Sequence, residues 1–134
     1  MSALGELTLD RDVGAPALAR EFARGALRDA QLSHVDDELI DEAVLLVSEL
    51  VTNAVVHTDS EWVRIELSVD ESGIRCVVVD ADASTAPTRR HAAVGGLGLV
   101  IVDALATRSG CDPAPNGKAV WFELDLRRDG SGSS

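Results

Sequence analysis

The segment Asp37–His57 (DELIDEAVLLVSELVTNAVVH) constrains the fold of this chain more than any other stretch. Its apolar residues recur with helical spacing and cover most of the helix circumference, which is typical of a buried helix. Either Ser33 or Asp36 can cap its start, and the acidic residues of its first turn favour a helix there. We therefore expect one long buried helix, covered by the rest of the chain.

The residues after this helix alternate between apolar and polar side chains, a pattern typical of β-strands. EWVRIELSV and IRCVVVD are separated by the turn DESG, so they predict an antiparallel hairpin. KAVWFELDL predicts a last strand, which follows a proline- and glycine-containing turn at residues 113–117. Glu6–Asp10 alternates weakly and predicts a first strand.

Two further helices complete the predicted fold. One begins at Pro16 and extends to Ala30, because apolar residues recur there at four-residue spacing. The other opens at the glycine-rich GGLGL. Ala81–Val94 predicts a mobile loop, and residues 127–134 predict a disordered tail. The chain thus predicts a single domain over residues 1–126, an α+β two-layer sandwich of helices on one face of a mixed, mostly antiparallel sheet.

Composition and charge narrow the class of protein. Of the 134 residues, 46% are hydrophobic, which supports one well-filled core. The net charge of −11 argues against nucleic acid as a partner, because phosphate binding needs a basic surface. No stretch is apolar enough to span a membrane and no signal peptide is evident, so we expect a cytoplasmic protein without a membrane partner. Cys76 and Cys111 are isolated and are expected to be free, buried thiols.

Glu49 and Asn53 are unusual residues for such a helix. Their spacing of four places both side chains on one side of the helix, among apolar residues. One interpretation is a solvated glutamate that hydrogen-bonds an asparagine. The other is a functional pair, with Glu49 as a general base and the carbonyl oxygen of Asn53 as a ligand to Mg²⁺. His57, one turn further on, is expected to be a packing or hydrogen-bonding residue.

Two later features also have a functional and a structural interpretation. In GGLGL, glycines at a helix start let backbone N–H groups approach phosphate oxygens. The same sequence is also compatible with an ordinary glycine-rich turn before a helix. Asp80 closes a run of valines at the end of a predicted strand. Its carboxylate can accept a hydrogen bond from an adenine amino group, or it can be a turn residue.

Taken together and in this order, the motifs resemble the GHKL (Bergerat-fold) ATPase superfamily. The resemblance is greatest to its small single-domain branch, the anti-sigma-factor serine/threonine kinases and their relatives in actinobacteria. It is carried mainly by SELVTNAVVH and by GLVIVDALATRSG followed by GKAVWFEL. It extends from about Leu7 to Leu126, which is nearly the whole chain.

The resemblance implies a Bergerat ATP-binding fold that uses ATP and Mg²⁺. Glu49 would orient or deprotonate the attacking hydroxyl group, and Asn53 would bind Mg²⁺. Asp80 would bind the adenine N6 amino group, and backbone amides near two glycines would hold the phosphates. The implied nucleotide-binding residues are Asn53, Asp80, Gly96, Gly98 and Lys118, although the role of Lys118 is not defined by the family pattern. The implied partners are a sigma factor and a small antagonist protein, and dimers are common in the family.

Three positions depart from the family pattern. Asp82 stands where the family often has a glycine, Leu97 where it often has a basic residue, and Ala119 where it often has a threonine that helps to bind adenine. Two hypotheses follow. In the first, the chain is a protein serine/threonine kinase that acts on an antagonist protein. In the second, it is a protein-binding module of the same fold that does not need ATP.

Overall fold

A computed structural model describes residues 2–82 and 97–126 of the chain, and for residues 97–100 it describes the backbone alone. The predicted tail at residues 127–134 lies outside the described residues. So do Gly96 and all of the predicted loop Ala81–Val94 except its first two residues.

The described residues form three helices and the five strands of one sheet. In order the elements are β1 (Ser2–Asp10), α1 (Ala15–Asp29), α2 (Asp37–His57), β2 (Trp62–Val69), β3 (Gly73–Asp80), α3 (Leu97–Leu105), β4 (Arg108–Ala114) and β5 (Gly117–Asp125). The strands lie in the order β1-β2-β3-β5-β4, and every pair is antiparallel. The prediction of an α+β sandwich is therefore confirmed, and the described sheet is antiparallel throughout.

The ends of α2 show how its sequence defines the helix. Asp36 is the cap, because its Oδ1 accepts a hydrogen bond of 2.8 Å from the backbone N–H of Leu39. The chain becomes extended at Thr58, whose hydroxyl donates to the carbonyl oxygen of Ala54 at 2.6 Å. Both predicted bounds of this helix are confirmed. No helix in the described ranges is long and apolar enough to cross a membrane.

The core lies between the helices and one face of the sheet. α2 contributes residues such as Leu46, Val47 and Leu50, each at most 2% exposed. Every second residue of β2, from Val63 to Val69, is buried on the same side. α1 packs against α2 through buried alanines, and α3 also contacts α2. The helices of the described residues thus cover one face of the sheet, and this face is called the inner face below.

The strand β4 was not predicted. The sequence places Pro113 in a turn, but Pro113 pairs with Lys118 in the sheet, and the turn is confined to Pro115 and Asn116. The sequence of β4, RSGCDPA, has no apolar alternation and contains glycine and proline, both of which are rare in strands. β4 tolerates the proline because it is the edge strand of the described sheet. Pairing with β5, and not local preference, makes it a strand.

Candidate functional site

Buried polar side chains gather at one end of the sheet. The described residues include six buried polar or charged side chains, and five belong to the end of α2 with its following loop, the end of β3, or the start of β5. These five are Thr58, Ser60, Asp80, Asp82 and Lys118. Burial of polar groups costs free energy unless they are paired, so a concentration of them marks this end of the sheet as the candidate site.

Asp80 and Lys118 meet at the centre of this end. They are direct partners in the pairing of β3 with β5, and both side chains lie on the inner face. The distance between Lys118 Nζ and Asp80 Oδ2 is 3.1 Å, which makes an ion pair. Only 2% of Asp80 and 5% of Lys118 is exposed. Two of the predicted site residues are therefore brought together, although nothing in their sequence separation indicates it.

The ammonium group of Lys118 is poorly satisfied. Its distance to Asp80 Oδ2 is short enough for an ion pair, but the angles do not make a hydrogen bond. Within the described residues it is the buried side-chain nitrogen or oxygen atom that lacks a hydrogen-bond partner. A buried ammonium with three unused N–H groups is costly, so this atom needs an explanation beyond folding.

Gly117 allows β5 to approach Asp80 closely. A Cβ atom added at Gly117 would lie 1.8 Å from the backbone oxygen of Asp80, a distance that no side chain tolerates. Only glycine fits there without moving one of the two strands. The glycine of GKAVWFEL is thus needed for the geometry of the Asp80–Lys118 pair, a role that the sequence analysis missed.

Asp82 links the loop after α2 to the end of β3, next to this pair. Its backbone N–H donates to Asp80 Oδ1 at 2.8 Å, and its Oδ2 accepts a hydrogen bond of 2.8 Å from the backbone N–H of Asp59. The Ser60 hydroxyl oxygen accepts another bond across the same junction, from the N–H of Ala81 at 3.0 Å. The residue that departs from the family pattern therefore has a structural role, since it joins the loop after α2 to the end of β3.

Glu49 and Asn53 lie on α2, one turn apart and half-buried. The side-chain amide of Asn53 donates to the backbone oxygen of Glu49 at 3.1 Å, and not to its carboxylate. The simple pair of a glutamate side chain with an asparagine side chain is therefore not what the structure shows. The Asn53 carbonyl oxygen is left available for another ligand. His57 is exposed in the last turn, so of its two expected roles packing is wrong and hydrogen bonding stays a prediction.

The other positions singled out by sequence are less closely connected with the pair. Gly98 lies in the first turn of α3, and Leu97 begins that helix. Ala119 pairs with Val79 and follows Lys118 in a strand, so it lies on the outer face of the sheet. A threonine at position 119 would therefore not stand beside Asp80. Lys118 occupies that position.

The two thiols respond differently to this environment. Both are free cysteines, and burial raises the pKa of Cys76 far above its ordinary value. Partial burial raises the pKa of Cys111 to about 11, an effect that Lys118 opposes and that Asp112 and Asp80 add to. Cys111 therefore responds to the charges of the buried pair. No group of three His, Cys, Asp or Glu side chains in the described ranges could hold a metal ion by itself.

Comparison with known protein families matches residues 13–124 to the histidine kinase-like ATPase domain. This match covers most of the chain and includes the buried polar residues of the candidate site. The chain belongs to that family. ATP binding is what the family implies. A comparison with curated proteins gives no match.

A solved structure supports the same fold. The chain is similar to the crystal structure of the RsbU and RsbW domains of Rv1364c from Mycobacterium tuberculosis, with a TM-score of 0.69 and 20% sequence identity. The similarity covers 91% of this chain and 31% of that one, so this chain spans about a third of the protein that it matches. At this identity the comparison shows the fold alone.

Proposed function

We propose that this chain is an ATP-binding regulatory protein of the anti-sigma-factor kinase type. It transfers phosphate from Mg-ATP to a serine on a small antagonist protein and holds a sigma factor inactive in the meantime. The observation that carries the proposal is the state of Glu49. This carboxylate is half-buried in the central helix and forms no ion pair within the described residues, so it is available to act on a substrate.

The described residues fit the parts that such a reaction needs. Asn53 uses its amide N–H to bond the helix backbone, which leaves its carbonyl oxygen for Mg²⁺. Mg²⁺ takes few protein ligands because nucleotide phosphates and water supply the rest, and its charge offsets the charge of the transferred phosphoryl group. Glu49, one turn away, accepts the proton of the attacking hydroxyl group. Asp80 accepts a hydrogen bond from the adenine amino group.

Phosphorylation would act on the partner through charge. A phosphoserine adds nearly two negative charges, so at a packed interface it introduces repulsion and desolvation cost. This chain is itself acidic, with a net charge of −11. An antagonist that has been phosphorylated would therefore leave the complex, and the chain would be free to bind the sigma factor.

A second candidate is a protein-binding module that does not use ATP. One observation favours it. Both carboxylate oxygens of Asp80 already have a partner, since Oδ1 accepts from the Asp82 N–H and Oδ2 faces the Lys118 ammonium group. In this candidate the ion pair blocks nucleotide binding, and the chain acts only through a protein-binding surface.

Calorimetric titration with ATP and ADP, with and without Mg²⁺, separates the two candidates. The kinase requires Mg-dependent binding, and absence of binding under all conditions supports the module. Glu49→Ala should keep nucleotide binding but lower phosphoryl transfer to the antagonist by about a hundredfold or more. Asn53→Ala should weaken Mg-dependent binding by about tenfold, because it loses a metal ligand.

The matched control for these variants is Thr52→Ala. Thr52 is an exposed neighbour on the same helix, so its replacement should change neither binding nor transfer. If Glu49→Ala transfers phosphate at the wild-type rate, Glu49 is not the base.

A further inference from the structure

Lys118 is a buried cation whose hydrogen-bonding capacity is unused by the residues that the structure describes. It stands beside the carboxylate that the proposed function assigns to adenine, with Nζ 3.1 Å from Asp80 Oδ2 and without hydrogen-bond geometry. We propose that Lys118 is a specificity-determining residue that donates a hydrogen bond to a ring nitrogen of the base. This inference rests on the proposed function, since it requires that the site takes adenine nucleotides.

The chemistry of adenine matches the two side chains. Its N6 amino group is a donor, and each ring nitrogen next to it, N1 on one edge and N7 on the other, is an acceptor. A carboxylate next to an ammonium presents the complementary pattern of one acceptor beside one donor. Asp80 and Lys118 are adjacent partners on neighbouring strands, so the amino group and a ring nitrogen of one base can meet them together.

The mutual pairing of the two side chains explains why the donor is a lysine next to an aspartate. Without a base, the ammonium and the carboxylate offset each other's charge, so neither is left as an isolated buried ion. With a base, the unused N–H groups of Lys118 gain an acceptor in a site from which water is largely excluded. Hydrogen bonds that involve a charged group are stronger than neutral ones, so the bond favours bases that carry the acceptor.

The backbone around the pair fixes its position for this task. Gly117 allows the two strands to approach, and the N–H of Asp82 holds Oδ1 of Asp80 at 2.8 Å. Both features orient Asp80 and leave the end of the lysine side chain as the part that can adjust. Ala119 cannot take part, because it lies on the outer face.

The test is a set of calorimetric titrations of the wild type with Mg-ATP, Mg-1-deaza-ATP and Mg-7-deaza-ATP. Each analogue replaces one ring nitrogen with a C–H group. We expect the wild type to bind one of the two analogues about tenfold more weakly than ATP, and that analogue identifies the edge of the base that Lys118 contacts. Equal binding of all three nucleotides overturns the inference and leaves the proposed function intact.

The lysine is then replaced in two ways. Lys118→Met removes the donor but keeps the length, and it should bind ATP about tenfold more weakly without further loss for the sensitive analogue. Lys118→Gln keeps an N–H donor and should recover part of the affinity. Ala119→Thr is the control and should bind like the wild type.

The outcomes separate this inference from the proposed function. If Lys118→Met binds ATP as tightly as the wild type, or more tightly, Lys118 does not recognise the base, and the inference is overturned. If the wild type binds none of the nucleotides, the proposed function is overturned, and this inference is overturned with it. Thermal unfolding of each variant shows whether it is folded, and where Lys118→Met does not fold, the wild-type analogue titrations decide.

Discussion

The strand β5 carries an ion-paired residue on each face of the sheet, and the two pairs differ. On the inner face, Lys118 meets Asp80 almost without exposure and without a good hydrogen bond. On the outer face, Glu123 accepts hydrogen bonds from Arg75 and Arg108, both at 2.7 Å, and 23% of its side chain is exposed. The Glu123 carboxylate has a hydrogen-bond donor on each oxygen and is partly exposed to solvent. The Lys118 ammonium group has no hydrogen-bond partner within the described residues and is almost fully buried.

The difference concerns what each pair costs the folded protein. Exposed ion pairs contribute little to stability, but they cost little to form. Buried pairs can cost more in desolvation than their attraction returns, so they are weak evidence for stability. The outer pair also belongs to a stacked surface, in which the guanidinium of Arg75 lies 4.9 Å from the centre of the Trp121 ring. We expect variants of the inner pair to have the larger effects.

The largest effect is expected for Asp80→Ala. It leaves the Lys118 ammonium buried without a counter-charge, which should lower the free energy of unfolding by about 3 kcal/mol or more. Urea unfolding at pH 7 measures the change. The double variant Asp80→Leu with Lys118→Met replaces the pair by apolar residues and should recover most of the loss. If the double variant is no more stable than Asp80→Ala, packing at this position matters more than charge.

Gly117→Ala should have the next largest effect. The added Cβ would lie 1.8 Å from the backbone oxygen of Asp80, so β3 and β5 must separate at the site, at a cost of about 2 kcal/mol or more. Gly25→Ala is the matched control. Gly25 lies within α1 with open space around it, and alanine there should stabilise the protein by about 0.5–1 kcal/mol. Equal urea midpoints for Gly117→Ala and the wild type would show that the close approach is not required.

These features also mark the limit of what sequence reveals. α2 and the β2–β3 hairpin were predictable because their patterns are local and long. β4 was not, because a segment with Gly110 and Pro113 becomes a strand only through pairing with β5. For the same reason, Asp80 could be selected as a site residue but its pairing with Lys118 could not. That contact depends on register between two strands far apart in sequence.

Glu123→Gln should have a smaller effect, below about 1 kcal/mol at pH 7. Hydrogen bonds from Arg108 and then Arg75 lower the pKa of Glu123. A carboxylate with a lowered pKa adds stability above its unfolded pKa, about 4.3, and loses it as the pH falls through its folded value. The difference between wild type and variant should therefore be present at pH 7 and smaller at pH 3. Urea midpoints at both pH values check this, and an equal difference at pH 3 would contradict it.

The smallest expected effect is on the reactivity of Cys111. Its pKa is raised to about 11, first by burial, and the charge of Lys118 opposes the rise. Lys118→Met should therefore raise this pKa further and slow alkylation by iodoacetamide at pH 9 by on the order of twofold, because the thiolate is the reactive form. Cys76, which is fully buried, should react only after unfolding, and in urea the two thiols should react alike in both proteins. Faster alkylation of Cys111 in Lys118→Met would mean that the variant opens the edge of the sheet, so that exposure and not charge controls this thiol.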